Sequence, residues 1–269
     1  MKAISINVGV NDPPSRCGTT GVLKHAEDSA RNLEERAEDI GFAIEDPAKK
    51  VKLGALVGAD ATAPNVLSAL DFARFNLDPG GILLLSFSGH GCQVRDSPPY
   101  DERDHMDETW CLADRKLRDD EVMEKLRLFD DGIRILVIAD SCHSGGGPGM
   151  LSVTREEFLY ASELITEAES RVQRWVTRPE CFAKKKSIPR LGLKTSVLLL
   201  ASCPEDRTCE DGIFSWALEC SLDQGNPQNY CELRDQIHRR LSLLSAFPPE
   251  LKPFGVLNPG FYLQKPFEI

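Results

Sequence analysis

Two strongly apolar segments constrain this chain more than any other feature: Gly81 to Ser88, GILLLSFS, and Ile133 to Ala139, IRILVIA. They are too short for buried helices and lack polar alternation, so they are expected to be strands covered on both faces. A Pro79-Gly80-Gly81 turn bounds the first. Apolar positions at helical spacing predict helices over Leu23 to Ile40, stopping at Gly41, over Ala63 to Asn76 and over Asp119 to Leu128. Strands over Ile4 to Val8 and Lys52 to Val57 alternate with them, and Gly89 to about Arg118 reads as a polar loop. Further on, Arg155 to Val176, Phe214 to Leu222 and Tyr230 to Leu244 read as helices, Ser196 to Ala201 as a strand and Gly260 to Gln264 as a short final strand. The alternation predicts an α/β fold, a central mostly parallel β-sheet flanked by helices on both faces. Such sheets bind ligands at the carboxyl ends of their strands, which sets Ser88 to Gly91 beside Asp140 to Gly145.

At 269 residues the chain has the length of one large domain or two small ones. It reads as a single domain with a larger part over 1–150, a helix and basic linker over 151–194 and a smaller part over 195–269. Its 42 acidic against 32 basic side chains leave a net charge of −10, which argues against a surface devoted to nucleic-acid phosphates. The longest apolar runs are four or five residues, far below a bilayer span, and MKAISINVGVND is too polar for the core of a signal peptide. The expectation is therefore a cytoplasmic protein without a membrane partner. None of the nine cysteines forms a C-x-x-C pair, so a zinc site is not indicated and reduced thiols are expected.

The chemistry gathers at the two strand ends. One run leads into Ser88-Gly89-His90-Gly91, the other into Asp140-Ser141-Cys142-His143-Ser144-Gly145. A thiolate is a strong nucleophile, and an imidazole can activate it and later protonate a leaving amine, so His90 and Cys142 suit acyl transfer. The surrounding glycines let peptide N–H groups face a carbonyl oxygen, which makes the amides of Gly91 and Cys142 candidates for an oxyanion hole. His143 projects to the other side of the chain from Cys142 and is read as structural. No glycine-rich phosphate loop follows the first strand, where Val8-Gly9-Val10-Asn11 stands instead, so a nucleotide-binding reading is set aside.

The order of these residues, with His90 standing 52 positions before Cys142, and the motifs SFSGHG and DSCHSG are similar to those of the caspase-like clan of cysteine peptidases. Within it the chain resembles the metacaspases and their bacterial relatives. The resemblance takes in His25-Ala26-Glu27-Asp28, Ala61 to Asn65, Asp107-Glu108, Asp119-Asp120-Glu121 and Ala201 to Ser215, although the caspase signature Q-A-C-[RQG]-G is absent. It implies a caspase-like fold with His90 as base and Cys142 as nucleophile. It also implies cleavage after Arg or Lys, because metacaspases line the pocket for that side chain with acids, and the matching positions here are Asp28, Ser88 and Asp140. A carboxylate in a desolvated pocket holds a guanidinium through charge-assisted hydrogen bonds that an aspartate substrate cannot make. The same carboxylate disfavours the Cys142 thiolate, which moves the expected activity optimum to neutral or mildly alkaline pH.

Some relatives are activated by calcium, and Asp101, Asp104, Asp119 and Asp120 are oxygen ligands of the right type, though the further position expected to be acidic is Gly149. No cofactor is required; calcium is an activator only, and Asp119-Asp120 also reads simply as the start of a helix. Arg171, Arg174, Arg178, Lys184, Lys185, Lys186, Arg190 and Lys194 face only Glu180 within an otherwise acidic protein. For an enzyme selective for basic residues, that linker is a candidate site of self-cleavage, of cleavage by an upstream protease, or of restraint as a pseudosubstrate. The expected partners are protein or peptide substrates with Arg or Lys at the cut, and an activating protease or signalling complex; the expected state is a monomer. Trp110 and Trp216 are placed at the substrate cleft, Cys92 near the site, and Cys111, Cys203, Cys209, Cys220 and Cys231 in packed positions. The alternative function is a catalytically silent caspase-like scaffold, against which the presence of both His90 and Cys142 argues.

Overall fold

The computed structural model describes residues 1–19, 21–95, 106–141, 192–202, 210–244 and 246–269. In chain order the elements are β1 (Ala3–Gly9), α1 (Ala26–Asp39), β2 (Gly54–Val57), α2 (Ala63–Asn76), β3 (Ile82–Gly89), β4 (Gly91–Arg95), β5 (Met106–Cys111), β6 (Lys116–Arg118) and α3 (Asp119–Leu126). They continue with β7 (Arg134–Ser141), β8 (Ser196–Ala201), α4 (Ile213–Gly225), α5 (Tyr230–Leu243), β9 (Glu250–Gly255) and α6 (Pro259–Leu263). The two apolar runs pair with each other as β3 and β7 at the middle of a six-stranded sheet of order β2-β1-β3-β7-β8-β9. Five strands are parallel and β9 returns antiparallel along β8.

Because successive side chains point to opposite faces, each central strand feeds two cores. Ile4, Ile6, Leu83, Leu85, Ile135 and Val137 pack with residues of α2 and α3. Leu84, Leu136, Ile138, Leu198 and Leu200 pack with residues of α1, α4 and α5. This is the expected sheet with helices on both faces. Toward the carboxyl ends the second face turns polar while staying buried, through Asn7, Ser86, Ser88, Asp140 and Ser202. Ser86 Oγ donates to Asn7 Oδ1 at 2.9 Å and Asn7 Nδ2 to Ser5 Oγ at 2.7 Å, so these polar atoms are satisfied within the sheet.

Three expectations are corrected. The segment read as a polar loop after Gly89 contains a second sheet of order β4-β5-β6, antiparallel throughout. The final strand expected over Gly260 to Gln264 is instead helix α6, capped by Asn258 Oδ1 accepting from Phe261 N–H at 3.1 Å and opened by Pro259. The sheet closes on β9, ten residues earlier in the chain than that expectation. The first helix also starts later, at Ala26, and its C-terminal turn passes through Gly41 at φ +95°. The helix expected over Arg155 to Val176, and the linker residues Arg171, Arg174, Arg178, Lys184, Lys185, Lys186 and Arg190, lie outside the described residues. Among the described residues no helix is long and apolar enough to cross a membrane.

Candidate active site

Sheet register fixes where the two chemical motifs meet. Ser88 pairs with Asp140 and Gly89 with Ser141, so His90 and Cys142 each follow directly on a register pair of adjacent parallel strands. Cys142 itself, with His143, lies outside the described residues. His90 stands between β3 and β4, and its carbonyl accepts the Cys111 N–H at 3.0 Å, which ties it to the second sheet. Its Nε2 lies 3.1 Å from the Gly21 carbonyl oxygen. With the proton on Nε2, that carbonyl orients the ring and leaves Nδ1 free to take a proton from a nucleophile, the arrangement a catalytic base needs. Gly21 holds its carbonyl there at φ +92°, a conformation open to glycine at little cost. Gly91, the other oxyanion candidate, opens β4 opposite Trp110.

Asp140 is the buried charge of the site. It sits on the polar end of the sheet with Ser88 as its neighbour on β3, and both line a narrow cleft together with His90, Glu210, Asp211 and Gly212. Ser215, in the first turn of α4, donates to Asp140 Oδ2 through Oγ at 2.5 Å and through its backbone N–H at 3.3 Å. Burial pushes the Asp140 carboxyl up to about 6; the hydrogen bonds from Ser215 and Ser202 oppose the rise, and the nearby Asp211 charge adds to it. Asp211 is held in turn by the Lys24 N–H at 2.6 Å and the His25 N–H at 3.3 Å. The chain reaches α4 through Gly212 at φ +75°, where a Cβ would come within 2.6 Å of the His25 Cβ. Only glycine lets α4 approach the loop before α1 this closely.

Beyond the cleft, and sharing Asp211 and Gly212 with it, opens a groove of about 540 Å³ whose walls include Asp28, Asn32, Trp216 and Glu219. Asp28 is in the first turn of α1 with its side chain 71% exposed and 3.6 Å from Arg31. Of the three positions taken for the basic-side-chain pocket, Ser88 and Asp140 therefore share one cleft, and Asp28 faces the adjoining groove. Trp216 is at the groove, 48% exposed. Trp110 is not at the cleft: it is buried and stacked on Phe87, with centroids 4.7 Å apart and planes 5° from parallel, because β5 folds back over the core there. Cys111 and Cys231 are buried and Cys220 half-buried, whereas Cys203 and Cys209 lie outside the described residues.

Asp119 and Asp120 form the first turn of α3, where negative charge is favoured by the helix N-terminus. The cap there is made by Glu121, which accepts the Arg118 N–H at 3.2 Å and a bidentate pair from Arg115, holding its carboxyl below the usual range. Among the described residues no three His, Cys, Asp or Glu side chains are grouped to hold a metal, and Asp101 and Asp104 lie outside them. Sequence reasoning missed three contributors: Gly21, Asp211 and Ser215. The signal for the last two was the Asp211-Gly212 turn immediately before an apolar helix, but the Ser215 contact with Asp140 spans 75 residues and is written in no local pattern.

The family model for the metacaspase peptidase C14 domain matches residues 32–148, a span that contains Ser88, His90, Asp140 and Cys142. Metacaspase-1A of Aspergillus fumigatus is 24% identical over 278 aligned residues, covering 87% of this chain and 65% of that protein. Metacaspase-7 of Arabidopsis thaliana is 26% identical over 181, covering 64% of this chain and 41% of that protein. The chain thus spans less than two thirds of the length of these curated relatives. The crystal structure of protein GSU0716 from Geobacter sulfurreducens superposes with a TM-score of 0.71 at 28% identity, covering 100% of this chain and 99% of that one. In its parallel sheet, in the register of Ser88-Gly89 against Asp140-Ser141 and in these matches, the chain is similar to the caspase-like cysteine peptidases, and among them to the metacaspases.

Proposed function

We propose that this protein is a cysteine endopeptidase that cleaves peptide bonds after Arg or Lys. The observation that carries the reading is the buried Asp140 carboxylate, beside Ser88 and in one cleft with His90, on the strand that runs into Cys142. A substrate guanidinium or ammonium entering that cleft supplies the counter-charge that Asp140 lacks and offsets the cost of ionising it. Cys142, deprotonated by His90, attacks the carbonyl carbon; the N–H groups of Gly91 and Cys142 receive the oxyanion; His90 returns the proton to the leaving amine. Water then hydrolyses the thioester with His90 again as base. The polar rim of Asp211, Asp28 and Glu219 adds negative potential along the path of a cationic substrate.

The test is hydrolysis of fluorogenic peptides bearing Arg, Lys or Asp before the reporter, with and without millimolar calcium. Turnover of the Arg and Lys peptides, absent in Cys142→Ala and stripped of its selectivity in Asp140→Ala, is the expected result. Turnover of the Asp peptide alone overturns the specificity, and labelling of no residue by a thiol-reactive Arg-peptide probe overturns the enzyme. Calcium dependence in the same assay decides whether Asp101, Asp104, Asp119 and Asp120 serve an activating ion. The basic linker is read as a cleavage site for this enzyme or an upstream one. Mass spectrometry that finds an intact chain in wild type under every activating condition refutes the self-cleavage part.

A further inference from the structure

Three cysteines that the peptidase chemistry does not use, Cys17, Cys92 and Cys111, meet beside His90. Cys92 lies on β4 opposite Thr109, and Cys111 stands two positions further along β5, so the two side chains share one face of the small sheet as diagonal neighbours. Their sulfurs are 3.2 Å apart with the Cys111 thiol donating, and Cys92 Sγ is 3.4 Å from the Cys17 carbonyl oxygen. Cys17 and Cys111 are buried, whereas Cys92 is partly exposed. We propose that Cys92 and Cys111 are a redox-active pair that a hydroperoxide converts into a disulfide tying β4 to β5 next to His90.

The two thiols are differentiated for the two halves of that reaction. The hydrogen bond from Cys111, with the charge of Lys116, lowers the pKa of Cys92 and favours its thiolate; Cys111 is held protonated, first by its bond to Cys92 and then by burial. The Cys92 thiolate attacks the peroxide O–O bond, giving a sulfenic acid and releasing an alcohol or water. With Cys92 neutralised, the anion that kept Cys111 protonated is gone. Cys111 sulfur then attacks the sulfenic sulfur, an S–S bond forms, and the hydroxyl leaves as water with the Cys111 proton. Overall two thiols lose two electrons and two protons to one peroxide. Closing the pair shortens the sulfur separation by about 1.2 Å. Because the Cys111 N–H bonds the His90 carbonyl, that movement is delivered at the base itself.

The experiment is peroxide treatment of the Cys142→Ala protein, alkylation of remaining thiols and non-reducing tryptic mapping. Cys92 and Cys111 fall in separate tryptic peptides, 75–95 and 104–115, each with one cysteine. The expected result is these two peptides joined, two hydrogens lighter than their sum and separated again by a thiol reductant, with Cys17 alkylated. In Cys92→Ser, Cys111 should be recovered alkylated. Recovery of both thiols alkylated, Cys92 driven to sulfinic acid, or a link to any other cysteine overturns the proposal. The mapping requires no peptidase activity, so its outcome is independent of the proposed function.

Discussion

Ser215 approaches Asp140 twice through one oxygen, its hydroxyl at 2.5 Å and its backbone N–H at 3.3 Å from Oδ2. The first turn of α4 thereby supplies the donors that let a carboxylate exist at the end of β7. Ser215→Ala removes the stronger donor and leaves the weaker. The expected effect is a KM for Arg peptides raised about tenfold with kcat little changed, and an acid limb of kcat/KM displaced to higher pH, since a charge-assisted bond of this kind contributes roughly 1.5–3 kcal/mol. Unchanged KM and pH profile would show that Ser215 merely packs.

On the proposed function, ionising Asp140 favours activity and costs stability. Its carboxyl stands above the ordinary aspartate value of 3.8, at about 6. A raised folded-state pKa means that this group's contribution to stability is complete below about pH 4 and is lost as pH rises through about 6, a cost of about 3 kcal/mol at neutral pH. Asp140→Asn should therefore raise Tm at pH 7.5 by several degrees, with the difference closing toward pH 4. The same variant should lose Arg and Lys selectivity, and the wild-type kcat/KM for Arg peptides should climb through pH 6 as the pocket acquires its charge. Thermal melts and pH profiles of both proteins check the two arms; a Tm lowered at pH 7.5 would refute the first.

Gly21 bears on the site through its carbonyl oxygen, 3.1 Å from His90 Nε2. Nothing lies within 4 Å of a Cβ built there, so Gly21→Ala creates no clash and acts only through a φ of +92°. Relaxation of about 1 kcal/mol of backbone strain moves the carbonyl away from His90 Nε2. The expected outcome is a fall of about fivefold to tenfold in kcat with KM held. A KM change without a kcat change would mean that the loop touches substrate instead.

Phe87, on the strand that leads into His90, and Trp110, next to the Cys111 whose N–H bonds the His90 carbonyl, are buried and stacked at 4.7 Å. Phe87→Ala leaves a cavity under both sheets and should destabilise the protein by about 3–5 kcal/mol, read from the denaturant midpoint at unchanged m-value. A loss under 1 kcal/mol would show that the second sheet holds His90 without this stack.

The central sheet was legible because β3 and β7 are apolar throughout their middles, and a strand buried on both faces leaves that mark in any sequence. β8 was found over its full observed span for the same reason. β9 was not, because ELKPFG includes Lys252 and Pro253, residues that an edge strand tolerates and a central one does not. The sequence pattern points instead to Gly260 to Gln264, where Asn258 and Pro259 in fact start a helix. The small sheet escaped because its strands are short and polar, and they are held by pairing and by Trp110 packing on Phe87, a contact between distant positions. At the site, His90 could be named from its strand end and Asp140 from a strand end together with the family resemblance, but the donors to Asp140 and the carbonyl facing His90 come from elements far away in the chain.

On one face of the sheet, the apolar middle and the polar end occupy the same strands but different rungs: Leu84 and Ile138 hold the fold, and Ser88 and Asp140 one or two rungs further face the cleft. The fold and the recognition proposed for this site are thus written in separate letters of the same word. A chain so partitioned is evolvable: its preference can drift toward another side chain by exchanging a few terminal letters, while the vocabulary that makes it a sheet is left untouched.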